Sequence, residues 1–198
     1  MIDGRQPRDM ALLDALDRLP RRTIRQRVWR TVRESRDPLE GSRSRGRCGH
    51  DGMETLYTSH EELGSVAEIY ALLSLQPVFP SKLKWLTYEA QAEFEGVASL
   101  PTLAELADLG VDADRYHLRE YGRTQEIADA ALFLGFTGLV VPSARWECTN
   151  LVVFPEKMEP GQLTLVGSAS PVDWAEARER IRAQRRIRSG GSKKYKDE

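Results

Sequence analysis

Residues 56–68 read Leu-Tyr-Thr-Ser-His-Glu-Glu-Leu-Gly-Ser-Val-Ala-Glu, and the change of period inside this stretch decides the fold class. Leu56-Tyr57-Thr58-Ser59 is aromatic and β-branched, which is a short strand signal. Ser59-His60-Glu61-Glu62 then has the spacing of a capping box, in which serine and glutamate satisfy each other's orphan amides, so a helix is predicted to start there. Leu63, Val66, Ala67, Tyr70 and Leu73 give that helix one apolar stripe, which stops ahead of Pro77. A strand thus runs directly into an amphipathic helix.

The same mixture extends in both directions. Upstream, Ile24 to Val32 reads as a strand rich in arginine, and Met10 to Leu19 as a helix carrying Leu12, Leu13, Leu16 and Leu19, ended by Pro20. Asp37-Pro38 and Gly41-Ser-Arg-Ser-Arg-Gly46 form a loop. Downstream, Lys82 to Tyr88 is predicted as a strand, Thr102-Leu-Ala-Glu105 opens a capped helix closed at Gly110, and Thr124 to Leu134 is a helix stopped by Gly135. Gly138 to Val141 is a buried strand running into Pro142-Ser143-Ala144, followed by strands at Asn150–Phe154 and Leu163–Val166. Asp173-Trp-Ala-Glu176 caps a last helix, and Ser189 to Glu198 reads as a flexible polar tail. The expected architecture is α+β. It consists of a helical N-terminal extension over 1–22, one body over 23–188 and a tail over 189–198.

A chain of 198 residues with 40% hydrophobic and 30% charged side chains has the composition of a folded globular protein. It contains no run of about 18 apolar residues and no signal-peptide pattern, which points to the cytoplasm and away from membranes. Cys48 and Cys148 are expected to be reduced there. The net charge of −1 hides a strong asymmetry: residues 1–47 hold 13 basic and 7 acidic side chains, and residues 48–172 hold 7 and 18. Such a basic block fits nucleic acid, an anionic small molecule, an acidic partner or a solvated face.

Several chemistries are excluded. There is no phosphate loop, no GxGxxG after a strand and no GxSxG nucleophile elbow. His50, His60 and His117 lack metal-ligand spacing and neither cysteine has a near partner, so neither a metal nor a resident cofactor is expected.

What stands out is a set of dispersed fragments: Arg30 on the first strand, Gly46-Arg47 at the end of the loop, Tyr57 ahead of the helix that carries Glu68, and Val141-Pro142-Ser143-Ala144. With Arg27-Val-Trp-Arg30, Asp37-Pro-Leu-Glu-Gly-Ser42, Gln125-Glu-Ile-Ala128 and Asn150-Leu-Val-Val-Phe154, these make the chain from Arg27 to Val166 resemble the RES domain family. The family is named for an arginine, a glutamate and a serine that correspond to Arg47, Glu68 and Ser143. The resemblance implies a compact fold similar to the ADP-ribosyltransferase toxins, a mixed β core with surrounding helices and a cleft for NAD. It further implies a bacterial toxin that arrests growth by cleaving the nicotinamide–ribose bond through phosphorolysis or hydrolysis, with inorganic phosphate as co-substrate in the first case. An Xre-like antitoxin would occupy the active site, and a homodimer or larger complex with it is compatible. Family members usually carry an aromatic residue after the arginine. Here Cys48 stands in that place, a departure from the family pattern that leaves the stacking environment near Arg47 open.

The residues suit this chemistry. Nicotinamide leaves as a neutral base, so one carboxylate suffices where ordinary glycoside hydrolysis uses two. Glu68, flanked one turn away by Gly64 and Leu72, is the candidate anion for the oxocarbenium ion that forms on the ribose. Arg47 and Arg30 can hold phosphates through planar bidentate bonds. Tyr57 offers a ring face and a hydroxyl, while Ser143 can bind substrate or orient Glu68. Asn150 and His50 are further candidates for substrate contacts. Phosphate, water and a protein side chain all attack the same carbon, so mono-ADP-ribosylation of a cellular protein is the alternative activity. A non-catalytic basic module is the other alternative. Direct nucleic-acid binding is not expected, because the arginines lack interleaved aromatics apart from Trp29 and no recognition-helix pattern occurs.

Overall fold

The computed structural model describes residues 8–191, with side chains to residue 184. Long strands frame the molecule. β1 (Arg22–Arg33) and β3 (Trp85–Ser99) pair antiparallel over nearly their whole lengths, from Arg22↔Val97 to Arg33↔Trp85. Strands and helices are interleaved along the chain without regular alternation: α1 (Met10–Asp17) precedes β1, and β2 (Leu56–Ser59) leads into α2 (Glu62–Leu73). After β3 come α3 (Leu103–Asp108), α4 (Gly122–Phe133), β4 (Gly138–Pro142), β5 (Thr149–Val153), β6 (Leu163–Pro171) and α5 (Trp174–Gly191).

The strand order is β1-β2-β5-β4-β3-β6, and the β1–β3 pairing closes the first five strands into a ring. Because successive side chains in a strand point to opposite faces, the ring has an inside and an outside. Val28, Leu56, Ala92, Phe94, Val140, Leu151 and Val153 meet in one cluster inside it. Alternate residues of the same strands, Leu139, Val141 and Val152, join a second cluster with α1, α3 and α4, through Leu16, Leu106 and Ile127. Full burial of one such side chain contributes roughly 1.5–3 kcal/mol. Helices α2 and α5 cover a third region, where Val66, Leu73, Trp85 and Trp174 pack with Tyr70 and Phe79.

The expected α+β architecture is observed, with differences in detail. Thr102 and Glu105 form the predicted capping box, and Asp173 accepts from the amides of Ala175 and Glu176. The box expected at Ser59 does not form: Glu61 is the N-cap and makes no side-chain cap bond. Ser59 is still part of β2, and its hydroxyl lies 3.2 Å from the Cys148 sulfur instead. The strand expected at Lys82–Tyr88 starts at Trp85 and runs to Ser99. Its second half interleaves Glu89, Gln91, Glu93 and Glu95 with the buried Ala90, Ala92 and Phe94, a pattern whose alanines and glutamates carry no strand propensity of their own. Helix α5 continues through residues 189–191, where the tail was expected to begin; the rest of that tail lies outside the described residues.

β1 and β2 pair only at Trp29↔Ser59. Beyond that rung the two strands diverge, and the ring opens. Thr31 and Arg33 on one side and Tyr57 and Thr55 on the other become the walls of a cleft.

Candidate active site

The cleft between β1 and β2 encloses about 650 Å³, within the roughly 300–1,000 Å³ span of small-molecule sites. Among the described residues, seven arginines and a single carboxylate, Glu68, line it.

Glu68 comes from the middle of α2, and its position depends on how closely that helix approaches the sheet. A Cβ on Gly64 would stand 2.5 Å from Ser59 Oγ and 2.6 Å from Cys148 Sγ. Only glycine allows the contact, so the helix lies against β2 and the β4–β5 turn. There Ser143 donates to Glu68 Oε1 at 2.5 Å, and Asn150 Nδ2 donates to the same oxygen at 3.3 Å. Ser143 Oγ also accepts from the amides of Arg145 and Trp146, at 3.2 and 3.1 Å. The turn therefore fixes the serine, and the serine fixes the carboxylate. Oε2 accepts no hydrogen bond from any described residue. Asn150 Oδ1 is buried without a partner, leaving a strong acceptor unused at the cleft.

Arg47 occupies a two-residue turn between Gly46 and Gly49, closed by the Gly46 amide donating to the Gly49 carbonyl at 3.0 Å. Its guanidinium lies 4.1 Å from the centroid of Tyr116 and 5.1 Å from that of Tyr121, and Nη2 donates to the Leu118 carbonyl at 3.3 Å. The stacking surface that Cys48 cannot supply is thus provided by two tyrosines about 70 residues away in sequence. Cys48 itself is buried in the core, which pushes its thiol up to about 12, so it is protonated at neutral pH and not a nucleophile.

Tyr57 lines the cleft, and its hydroxyl accepts from the Cys48 amide at 2.8 Å. A Cβ on Gly46 would come 2.7 Å from that oxygen, so the glycine before Arg47 is what admits the tyrosine. Burial pushes the Tyr57 phenol far above its usual range, and it remains a neutral donor.

Arg30 lines the same cleft. Its Nη2 donates to the Glu40 carbonyl at 2.7 Å, and the neighbouring Arg36 donates to the Gly41 carbonyl at 2.7 Å. Arg30 Nη1 is buried without a partner. Burial and the charge of Arg36 bring its pKa down to about 10, so it is charged at neutral pH and has hydrogen-bonding capacity to spare.

His50 is placed differently from the expectation. It does not line the cleft: Nε2 faces Asp129 on α4 at 3.7 Å, and Nδ1 accepts from the Gly52 amide at 3.1 Å. The Gly49 carbonyl held by Gln125 turns this part of the loop toward α4, so the histidine expected beside the substrate faces Asp129 instead. Sequence reasoning also passed over Tyr116, Tyr121, Arg119 and Arg145. Tyr121, Arg119 and Arg145 line the cleft; Arg145 directly follows Pro142-Ser143-Ala144, whereas Arg119 and Tyr121 come from a segment whose sequence carries no local signature.

Among the described residues no group of three or more metal-ligating side chains occurs, and no helix is long and apolar enough to cross a membrane.

The fold and site define an α+β protein whose ring of strands splits to form a cleft with one anchored carboxylate among guanidinium groups. The chain belongs to the RES domain family, which it matches over residues 22–175. In structure it is similar to a chain of "Crystal structure of the M.tuberculosis MbcT-MbcA toxin-antitoxin complex", with a TM-score of 0.77 at 22% identity, covering 88% of this chain and 98% of that one. Among curated proteins no match is found.

Proposed function

We propose that the protein is the toxin of a toxin–antitoxin pair and that it cleaves the nicotinamide–ribose bond of NAD. The observation that carries this reading is Glu68, a carboxylate with one oxygen held by Ser143 and Asn150, in a cleft whose other charged lining residues, among those described, are arginines. As nicotinamide departs, positive charge grows on the ribose, and a fixed anion beside it stabilises the transition state more than the ground state. The anchoring of Oε1 means that the carboxylate need not reorganise when this charge appears. The free Oε2 is the oxygen offered to the sugar.

Arg47, with its plane set by Tyr116, together with Arg119 and, from the β4–β5 turn, Arg145, supplies the donors for the pyrophosphate. Fixing the dinucleotide at its phosphates sets the angle of the scissile bond to Glu68. Tyr57 presents its ring face to the nicotinamide or the ribose rim. Arg30 and Arg36 hold uncommitted donors on the opposite wall, which favours inorganic phosphate over water as the nucleophile and makes phosphorolysis the preferred reaction. Transfer to a protein side chain uses the same carbon and the same cleft. The partner that fits is an Xre-like antitoxin whose chain enters the cleft, in line with the toxin–antitoxin complex that the fold resembles.

Incubating the purified protein with NAD, with and without inorganic phosphate, and weighing the products separates these outcomes. Nicotinamide with ADP-ribose 1-phosphate is expected. ADP-ribose alone in both conditions would assign hydrolysis, a mass increase on an added protein would assign transfer, and intact NAD would end the proposal.

A further inference from the structure

Arg47 enters the cleft from a turn of two residues at the end of a loop rich in glycine and serine, and such a loop is flexible unless tied down. Tyr57 holds the Cys48 amide at 2.8 Å, and three of the turn's carbonyls, at residues 46, 47 and 49, are all held from the start of α4. Gln125, in the first turns of α4, donates both hydrogens of its Nε2, one to the Gly46 carbonyl and one to the Gly49 carbonyl, each at 2.9 Å. These are the two carbonyls that flank Arg47 and Cys48. Thr124, 5% exposed, donates to the carbonyl of Arg47 itself at 2.6 Å. Tyr121, which stacks on the Arg47 guanidinium, is the N-cap residue of the same helix. The start of α4 thus grips the arginine at its backbone and at its head.

We propose that Gln125 and Thr124 are positioning residues for the reaction, holding the backbone of residues 46–49 so that the Arg47 side chain enters the cleft in one direction. This rests on the reading that Arg47 holds the phosphates of the substrate. Neither residue lines the cleft, so neither touches NAD. Their effect passes through the turn that carries Arg47, and a displacement of about 1 Å at such a group can change a rate by about 10²-fold.

The test is a double-mutant cycle on the full-length chain. Gln125→Met keeps the size and removes both donors. It is expected to raise KM for NAD at least tenfold with little change in kcat, because binding at the phosphates is lost in ground and transition state alike. In an Arg47→Ala background the same substitution is expected to have no further effect. Thr124→Val should act in the same direction and Thr124→Ser, which keeps the hydroxyl, should restore binding; this pair also serves if Gln125→Met does not fold. Independently of NAD, amide hydrogen exchange at Gly46 and Cys48 should accelerate at least tenfold in Gln125→Met while that of β4 stays unchanged. Unaltered KM, an equal loss with and without Arg47, or unaltered exchange at the turn would overturn the proposal. If the wild type does not consume NAD, the functional reading fails, and the exchange experiment still decides whether the turn is held by α4.

Discussion

The two walls of the cleft are held together by different means. On the Glu68 wall, a side chain of α2 meets side chains from the β4–β5 turn and β5, and the contacts are hydrogen bonds from Ser143 and Asn150 to a single oxygen. On the Arg47 wall, the charged group rides on a loop and is secured by aromatic faces, one backbone carbonyl and the start of α4. The first arrangement is rigid because regular elements close on each other at contact distance. The second is rigid only as long as several separate ties hold. Such a division fits a site in which the anion must be in place before charge develops, while the cation only has to hold what arrives.

The strongest way to break this comparison is Glu68→Gln, which keeps shape and removes charge. Turnover of NAD is expected to fall by roughly 10²–10³-fold, the scale of losing one preorganised electrostatic group, with the melting temperature little changed. Activity within tenfold of wild type would show that the anchored wall is not where the chemistry happens. Arg47→Lys tests the other wall. It preserves the charge but loses the planar fork and the stacking on Tyr116, so KM for NAD should rise by about 10–100-fold with a smaller change in kcat.

A subtler effect is expected from Gly64→Ala. Replacing glycine by alanine inside a helix normally stabilises it by about 1 kcal/mol. Here the new Cβ would meet Ser59 Oγ at 2.5 Å and Cys148 Sγ at 2.6 Å, and overpacking costs about 1–3 kcal/mol. The clash wins, so denaturant unfolding should show a net loss of stability. Because α2 must move to relieve it, NAD turnover should fall as well.

The smallest effect concerns His60, which joins β2 to α2 and lies 2.5 Å from Thr149 through Nδ1, with Gln26 at its other nitrogen. Burial pushes its pKa below the usual 6.5. The folded protein therefore binds this proton less readily than the unfolded chain, and stability is lost as the pH falls through about 6.5. Melting temperatures at pH 7.5 and 5.5 should differ by about 1–3 °C less in His60→Asn than in wild type, since about 1 kcal/mol corresponds to roughly 2–4 °C for a domain of this size.

The same division between walls explains what the sequence reveals. The Glu68 wall is legible because its parts are local patterns: a strand running into a helix, a glycine one turn before the glutamate, and a buried strand ending in Pro142-Ser143. Arg47, Tyr57 and Asn150 line the observed cleft, and Ser143 holds Glu68 there. Tyr116 and Tyr121 carry no such mark, because stacking on Arg47 is a contact between segments with no shared periodicity. The spacing of Cys48 after Arg47 signals only that an aromatic is missing, not what replaces it. His50 misleads for the same reason: three residues from Arg47 in the chain, it is turned toward Asp129 by a loop whose path depends on α4. The length of β3 was hidden by alanines and glutamates that become strand only by pairing with β1.

The closure of the strand ring has a bearing on synthesis. β1 emerges early, yet it pairs with β3 from residue 85 onward, and the carboxylate gains its last hydrogen-bond partner only with Asn150. A ribosome adds roughly 5–20 residues per second, so the nascent chain spends most of its own translation without an assembled site.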